Sequence, residues 1–71
     1  MTYQERIREL REDNDFTQSQ VAELLGVHQT TYSQYELNKR PMPIDCLIIL
    51  CKYYNVSADY ILGLTNERGI K

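Results

Sequence analysis

The sequence predicts an all-α fold, a compact five-helix bundle in a single domain. Three observations point that way. Apolar residues recur at helical spacing along most of the chain. No stretch alternates apolar and polar residues as a half-buried strand does, and no hairpin turn pair is present. Gly, Pro and Asn punctuate the chain at short intervals, so the helices must be short. A chain of 71 residues holds one small domain, able to bury only about 60% of its unfolded surface.

Each element has its own start and stop signals. Thr2, with Glu5 three residues later, fits a capping box and opens a first helix with Tyr3, Ile7 and Leu10 on one face. It runs to about Asp13, and Asn14 with Asp15 signals a turn. Thr17 and Gln20 repeat the capping box and open a short second helix, Gln18 to Leu25, with Val21, Leu24 and Leu25 expected inward. Gly26, able to take a left-handed conformation, stops it. A third helix spans about His28 to Leu37. Pro41 and Pro43 end any continuation, because proline lacks the N–H and clashes with the preceding turn. A fourth helix starts at Pro43 and Ile44 and reaches about Tyr54, with Leu47, Leu50, Cys51 and Tyr54 expected inward and Ile49 opposite them. Asn55 and Val56 make a corner. Ser57 caps a fifth helix, Ala58 to Leu62, closed by Gly63.

Composition narrows the function. With 42% hydrophobic and 25% charged residues the chain is ordinary globular material, not a disordered one. No apolar run approaches the roughly 18 residues a membrane span needs, and the N-terminus lacks a secretory pattern. A cytoplasmic protein is expected. Cys46 and Cys51 fall within one apolar run at neither a CxxC nor a zinc spacing, and read as reduced core thiols. One His, no serine triad arrangement and no phosphate-cradling glycine loop leave no catalytic constellation. No metal site and no cofactor are expected. The net charge of −2 constrains solubility and steering without fixing a site.

The most informative stretch is "VHQTTYSQYELNKR", Val27 to Arg40. From His28 to Tyr35 it bears no formal charge at neutral pH, whereas an ordinary solvated helix face carries Lys and Glu. At about 100° per residue, Tyr32 and Tyr35 share the inward arc. Gln29, Thr30, Ser33 and Gln34 take the opposite one. These four side chains can both donate and accept hydrogen bonds. Gln suits adenine bidentately in the major groove, Ser and Thr serve several bases, and a Thr methyl fits the thymine methyl. Lys39 and Arg40 come next, where phosphates would flank a groove.

The stretch "TQSQVAELLGVHQTTYSQYELNKRP" resembles the helix-turn-helix of the phage Cro and repressor type, the XRE family. Gln18, Ala22, Gly26, Val27, Tyr32 and Glu36 carry the resemblance. The tail "YYNVSADYILGLT" is similar to the closing helix of that family. The resemblance implies the phage-repressor type of five-helix bundle over residues 1–65, with the helix-turn-helix at about 18–37 and a short tail at 66–71. It implies that Gln29, Thr30, Ser33 and Gln34 read bases, and that Gln18, Asn38, Lys39 and Arg40 contact phosphates. It further implies an ion pair between Arg11 and Glu36, since a lone buried charge is costly. His28 stands where the family usually has Ser or Thr, and Tyr32 where it has an aliphatic residue, so the Tyr32 hydroxyl needs a partner or solvent.

The function implied is a sequence-specific DNA-binding transcriptional regulator, a repressor, whose partner is double-stranded DNA with a two-fold operator. The alternative is a protein-interaction module on the same fold, an antitoxin-like partner with weak or no DNA binding. A homodimer through helices four and five is expected, its patch formed by Ile49, Tyr53 and Tyr60 on the reading that all three stand outward.

Overall fold

The computed structural model describes residues 2–69. Five helices succeed one another: α1 (Tyr3–Asp13), α2 (Gln18–Leu25), α3 (Gln29–Glu36), α4 (Ile44–Tyr54) and α5 (Ala58–Ile61), with no strand among the described residues. α2 packs on α3, α1 lies against both α3 and α5, and α4 packs against α5. The domain measures 32 × 21 × 20 Å.

Local sequence explains where each helix begins. Both capping boxes close reciprocally, Thr2 with Glu5 and Thr17 with Gln20. The Ser57 hydroxyl accepts from the Tyr60 N–H at 3.0 Å. His28 and Pro43 take extended backbone angles ahead of α3 and α4 without a side-chain cap.

The helix ends share one device. Asp15, Gly26, Asn38, Asn55 and Gly63, each just beyond a helix, all have positive φ, between 56° and 79°. At each, the next residue's N–H reaches back across the last turn: Phe16 to the Arg11 carbonyl, Val27 to Ala22, Lys39 to Gln34, Val56 to Cys51 and Leu64 to Asp59. An apolar residue at that position ordinarily clamps the end against the core. Phe16, Val27 and Val56 do so. At the end of α3 the position is Lys39, which is exposed.

Ile7, Leu10, Val21, Tyr32, Leu50 and Ile61 form the fully buried centre. Three expected orientations are corrected. Leu24 is exposed, and α2 buries Val21, Ala22 and Leu25, an arc centred on Leu25 that leaves Leu24 off its edge. α4 is rotated toward Cys46: it buries Cys46, Leu47 and Leu50, and Ile49 packs against the core although it was expected outside. With apolar side chains around most of α4, the pattern alone did not resolve which arc is covered. Tyr60 is also not exposed but 4% accessible. On so short a helix periodicity sets no face. The orientation comes from Arg6, whose guanidinium lies 4.1 Å from the Tyr60 ring centroid, and from Arg68, whose Nε donates to the Tyr60 hydroxyl at 3.1 Å.

The tail packs back on the bundle. Arg6 donates to the Asn66 side chain at 2.8 Å, Arg68 pairs with Asp13 at 3.0 Å, and its carbonyl accepts from the Ser57 N–H. The last two residues of the expected tail, Ile70 and Lys71, lie outside the described residues. Cys46 is buried and Cys51 half-buried, both as free thiols whose pKa burial pushes up.

Candidate nucleic-acid interface

α3 is anchored from below by two tyrosines. Tyr32 and Tyr35 are buried and meet edge to face, with ring centroids 6.3 Å apart. The Tyr32 hydroxyl is shut off from solvent without a hydrogen bond of ordinary geometry, and lies near enough to the Glu36 carboxylate to interact with it. Burial raises its pKa well above the ordinary tyrosine range, and the nearby Glu36 carboxylate adds to the shift. The ring stays neutral, with its hydroxyl beside the Glu36 carboxylate.

The end of α3 is held by ions. Arg11 binds Glu36 through two bonds, Nε to Oε2 at 2.8 Å and a terminal nitrogen to Oε1 at 3.2 Å. The Glu36 side chain is only 3% exposed. Such fork-to-fork geometry fixes orientation as well as contributing energy. The other terminal nitrogen of Arg11 donates to the Phe16 carbonyl at 3.0 Å, tying in the α1–α2 turn. Gln18 adds a third bond to Glu36, from Nε2 at 3.2 Å. Burial alone would raise the Glu36 carboxyl, but the bonds from Arg11 and Gln18, with the Tyr32 hydroxyl close by, hold its pKa below the ordinary value.

Above this frame α3 presents Gln29 and Thr30 exposed, and Ser33 and Gln34 half-exposed. All four lie on the arc away from Tyr32 and Tyr35, so the structure brings the expected base-facing set onto one surface. Two flanks border it. At the start of α2 the capping box uses the Gln20 N–H, and the N–H groups of Gln18 and Ser19 remain open at the positive end of the helix. On the other flank, Asn38 turns the chain in the left-handed conformation. The Gln34 carbonyl accepts from both the Lys39 and Arg40 N–H groups. Lys39 and Arg40 are exposed and join none of the ion pairs among the described residues.

Sequence reasoning missed two supports. Gln4 donates to the Asn38 side chain at 2.8 Å, bracing the loop from α1. Ser19 donates from Oγ to Gln29 Oε1 at 3.3 Å, joining the first turns of α2 and α3. Neither had a local signal, because both join residues far apart in helical register.

A family model described as Helix-turn-helix matches residues 7–61. The chain belongs to that helix-turn-helix family. Among its relatives is the uncharacterized HTH-type transcriptional regulator YobD of Bacillus subtilis (strain 168), 43% identical over 65 residues, which are 92% of this chain and 58% of YobD. The control protein C.SmaI of Serratia marcescens is 38% identical over 68 residues, 92% of this chain and 81% of that protein. In three dimensions this helix-turn-helix domain is similar to the P22 c2 repressor, solved in complex with a synthetic operator. The TM-score is 0.78 at 29% identity, over 87% of this chain and 94% of that one. The chain spans little more than half the length of the first curated relatives it matches. No helix of the described residues is long and apolar enough to cross a membrane.

Proposed function

We propose that this helix-turn-helix domain is a sequence-specific DNA-binding transcriptional regulator, a repressor acting in the cytoplasm, that reads the major groove with α3. One observation carries the reading. The outward arc of α3 is an uncharged surface of side chains able to donate and accept, held rigidly from behind by the Arg11–Glu36–Gln18 network. A surface for a protein partner has no need of that combination. Gln29, Thr30, Ser33 and Gln34 contact base edges. Gln18, through its backbone N–H and its second amide hydrogen, contacts phosphate, as do Asn38, Lys39 and Arg40. Phosphate contacts fix position while base contacts specify. The family membership, and the operator bound to the similar P22 c2 repressor, support the same reading.

The domain acts as a homodimer on a two-fold site, with half-sites about 34 Å apart. Its interface lies on α4 and α5 but is not the whole patch expected from sequence, since Ile49 and Tyr60 are covered and only Tyr53, 48% exposed, stands outward as expected. Ile44, Ile48 and Leu62 are exposed instead. Ile44 and Leu47 line both a groove of about 580 Å³ and a smaller depression of about 280 Å³, so the apolar surface is continuous. In the larger groove Lys52 comes from α4 and Asp59 from α5, so a two-fold copy can meet each charge with its opposite.

Binding to a duplex selected from a randomised pool tests the reading. Gln29→Ala and Gln34→Ala should each lose about 1–3 kcal/mol on the selected site and little on random DNA. Lys39→Ala and Arg40→Ala should weaken all duplexes alike and each flatten the salt slope by about one. Equal losses on selected and random DNA for the Gln variants would reverse the assignment of α3.

A further inference from the structure

We propose that the tail, residues 65–69, is part of the self-association surface: it walls the groove beside α4, and Glu67 of one copy meets Lys52 of the other across the two-fold. The inference rests on the proposed homodimer and adds to it a segment outside α4 and α5.

After α5 the side chains of the tail divide by alternate residues. Asn66 and Arg68 hold the bundle. The Arg6 guanidinium, which can only donate, gives a bond to Asn66 Oδ1 at 2.8 Å. Arg68 donates to the Tyr60 hydroxyl at 3.1 Å and pairs with Asp13 at 3.0 Å. Its carbonyl accepts from the Ser57 N–H at 2.9 Å. The residues between and beside these two, Thr65, Glu67 and Gly69, line the groove of about 580 Å³. That is the two-residue period of an extended chain. The wall is fastened deep in the domain, since Arg6 is buried and its guanidinium lies against the Tyr60 ring.

The charges of the groove select its occupant. Lys52 stands on α4, while Asp59 and Glu67 come from α5 and the tail. All three are exposed. Lys52 joins none of the ion pairs among the described residues, so it is not within bonding reach of either acid of its own chain. An acidic peptide would suit Lys52 and be repelled by the wall; a basic one would meet the reverse. A second copy, turned by the two-fold, brings its Lys52 to this acidic wall and its acidic wall to this Lys52, so the contact forms twice. The apolar lining, Ile44 and Ile48 among it, supplies contact area, and the charges set the register.

The test is sedimentation equilibrium of the wild type, Lys52→Glu, Glu67→Lys and an equimolar mixture of the two variants. Each variant alone sets like charges together at both contacts and should weaken self-association by on the order of tenfold. In the mixture both contacts join opposite charges, so association should return to the wild-type strength. Arg8→Glu makes the same charge change on the exposed face of α1. Mixed with Glu67→Lys it should restore association only in part, because one contact still opposes like charges. Wild-type behaviour of Glu67→Lys, a mixture no tighter than either variant alone, or full rescue by Arg8→Glu would each overturn the inference. Ile48→Glu separates it from the dimer reading. If Ile48→Glu abolishes association and Glu67→Lys does not alter it, the tail alone is struck from the interface. If Ile48→Glu changes nothing, or the wild type is monomeric, the dimer face on α4 falls and the contact falls with it.

Discussion

α3 carries uncharged polar side chains on one arc and two tyrosines on the other, whereas α4 is apolar around most of its circumference. The contrast within α3 orients it: only one rotation buries Tyr32 and Tyr35 while leaving Gln29, Thr30, Ser33 and Gln34 in water. α4 offers no such contrast. Its rotation is set by what packs on it, and apolar side chains left over, Ile44 and Ile48, face outward at 67% and 47% exposure. The two helices also differ in what their outward faces ask for. That of α3 suits a polar ligand and is braced by buried charge. That of α4 suits another apolar surface and places no demand on the fold of the single chain.

The largest expected effect comes from breaking the brace behind α3. Glu36→Ala leaves the Arg11 guanidinium, 14% exposed, without its partner, and should cost about 3–5 kcal/mol. That is a large share of the roughly 5–15 kcal/mol typical of a domain. Urea unfolding measures it; a loss under about 1 kcal/mol would mean the tyrosines alone hold α3. The pH dependence has a definite sign. The folded Glu36 pKa lies below its ordinary value of 4.5, so its contribution is complete above that pH and is lost as pH falls through the folded value. Tyr32 and Tyr54 act at the other limit. Burial raises both, Tyr54 to about 12. The unfolded chain then ionises first, and stability should fall as pH rises beyond about 10.

The contrast between α3 and α4 also explains how much was legible. The five helices were, because capping boxes, prolines and left-handed residues are local features; Asn38 and Asn55 could be read as turn residues without any tertiary knowledge. The polar arc of α3 was legible because Tyr32 and Tyr35 stand opposite it. Ile49, Tyr60 and Leu24 were not. Ile49 sits in a run where nearly every neighbour is apolar, and Tyr60 is turned inward by Arg6 and Arg68, which lie far from it in the chain or beyond the helix. The bonds of Ser19 and Gln4 are side-chain contacts between elements, which no periodicity encodes.

The rotation of α4 can be broken or sharpened by two neighbouring isoleucines. Ile49→Ala removes core contacts and should destabilise by about 2 kcal/mol, at the low end for a large-to-small change because the site is only partly buried. Ile48→Glu should leave single-chain stability within about 0.5 kcal/mol, yet abolish self-association in sedimentation if the proposed dimer face is right. Chemical unfolding at low protein concentration separates the two effects. Were Ile48→Glu the more destabilising variant, α4 would be rotated the other way.

The smallest effect compares two helix ends. Asn38 and Asn55 lie just past α3 and α4 with nearly the same left-handed geometry, φ 58° and 56°. A β-carbon costs there what it costs anywhere in that region, so Asn38→Ala and Asn55→Ala should each lose about 1 kcal/mol, and the Gly variants should recover it. Stability alone therefore does not distinguish the two ends. Their neighbours do. Val56 is buried after Asn55, while Lys39 is exposed after Asn38 and leads into Arg40. Asn38 also accepts the brace from Gln4 at 2.8 Å. Loosening the α3 end should spread the positions of both cations and reduce affinity for all duplexes by a few-fold, with base preference unchanged. Loosening the α4 end should leave DNA affinity as it was. Equal binding losses for Asn38→Ala and Asn55→Ala, at equal losses of stability, would mean the loop after α3 does nothing more than end a helix.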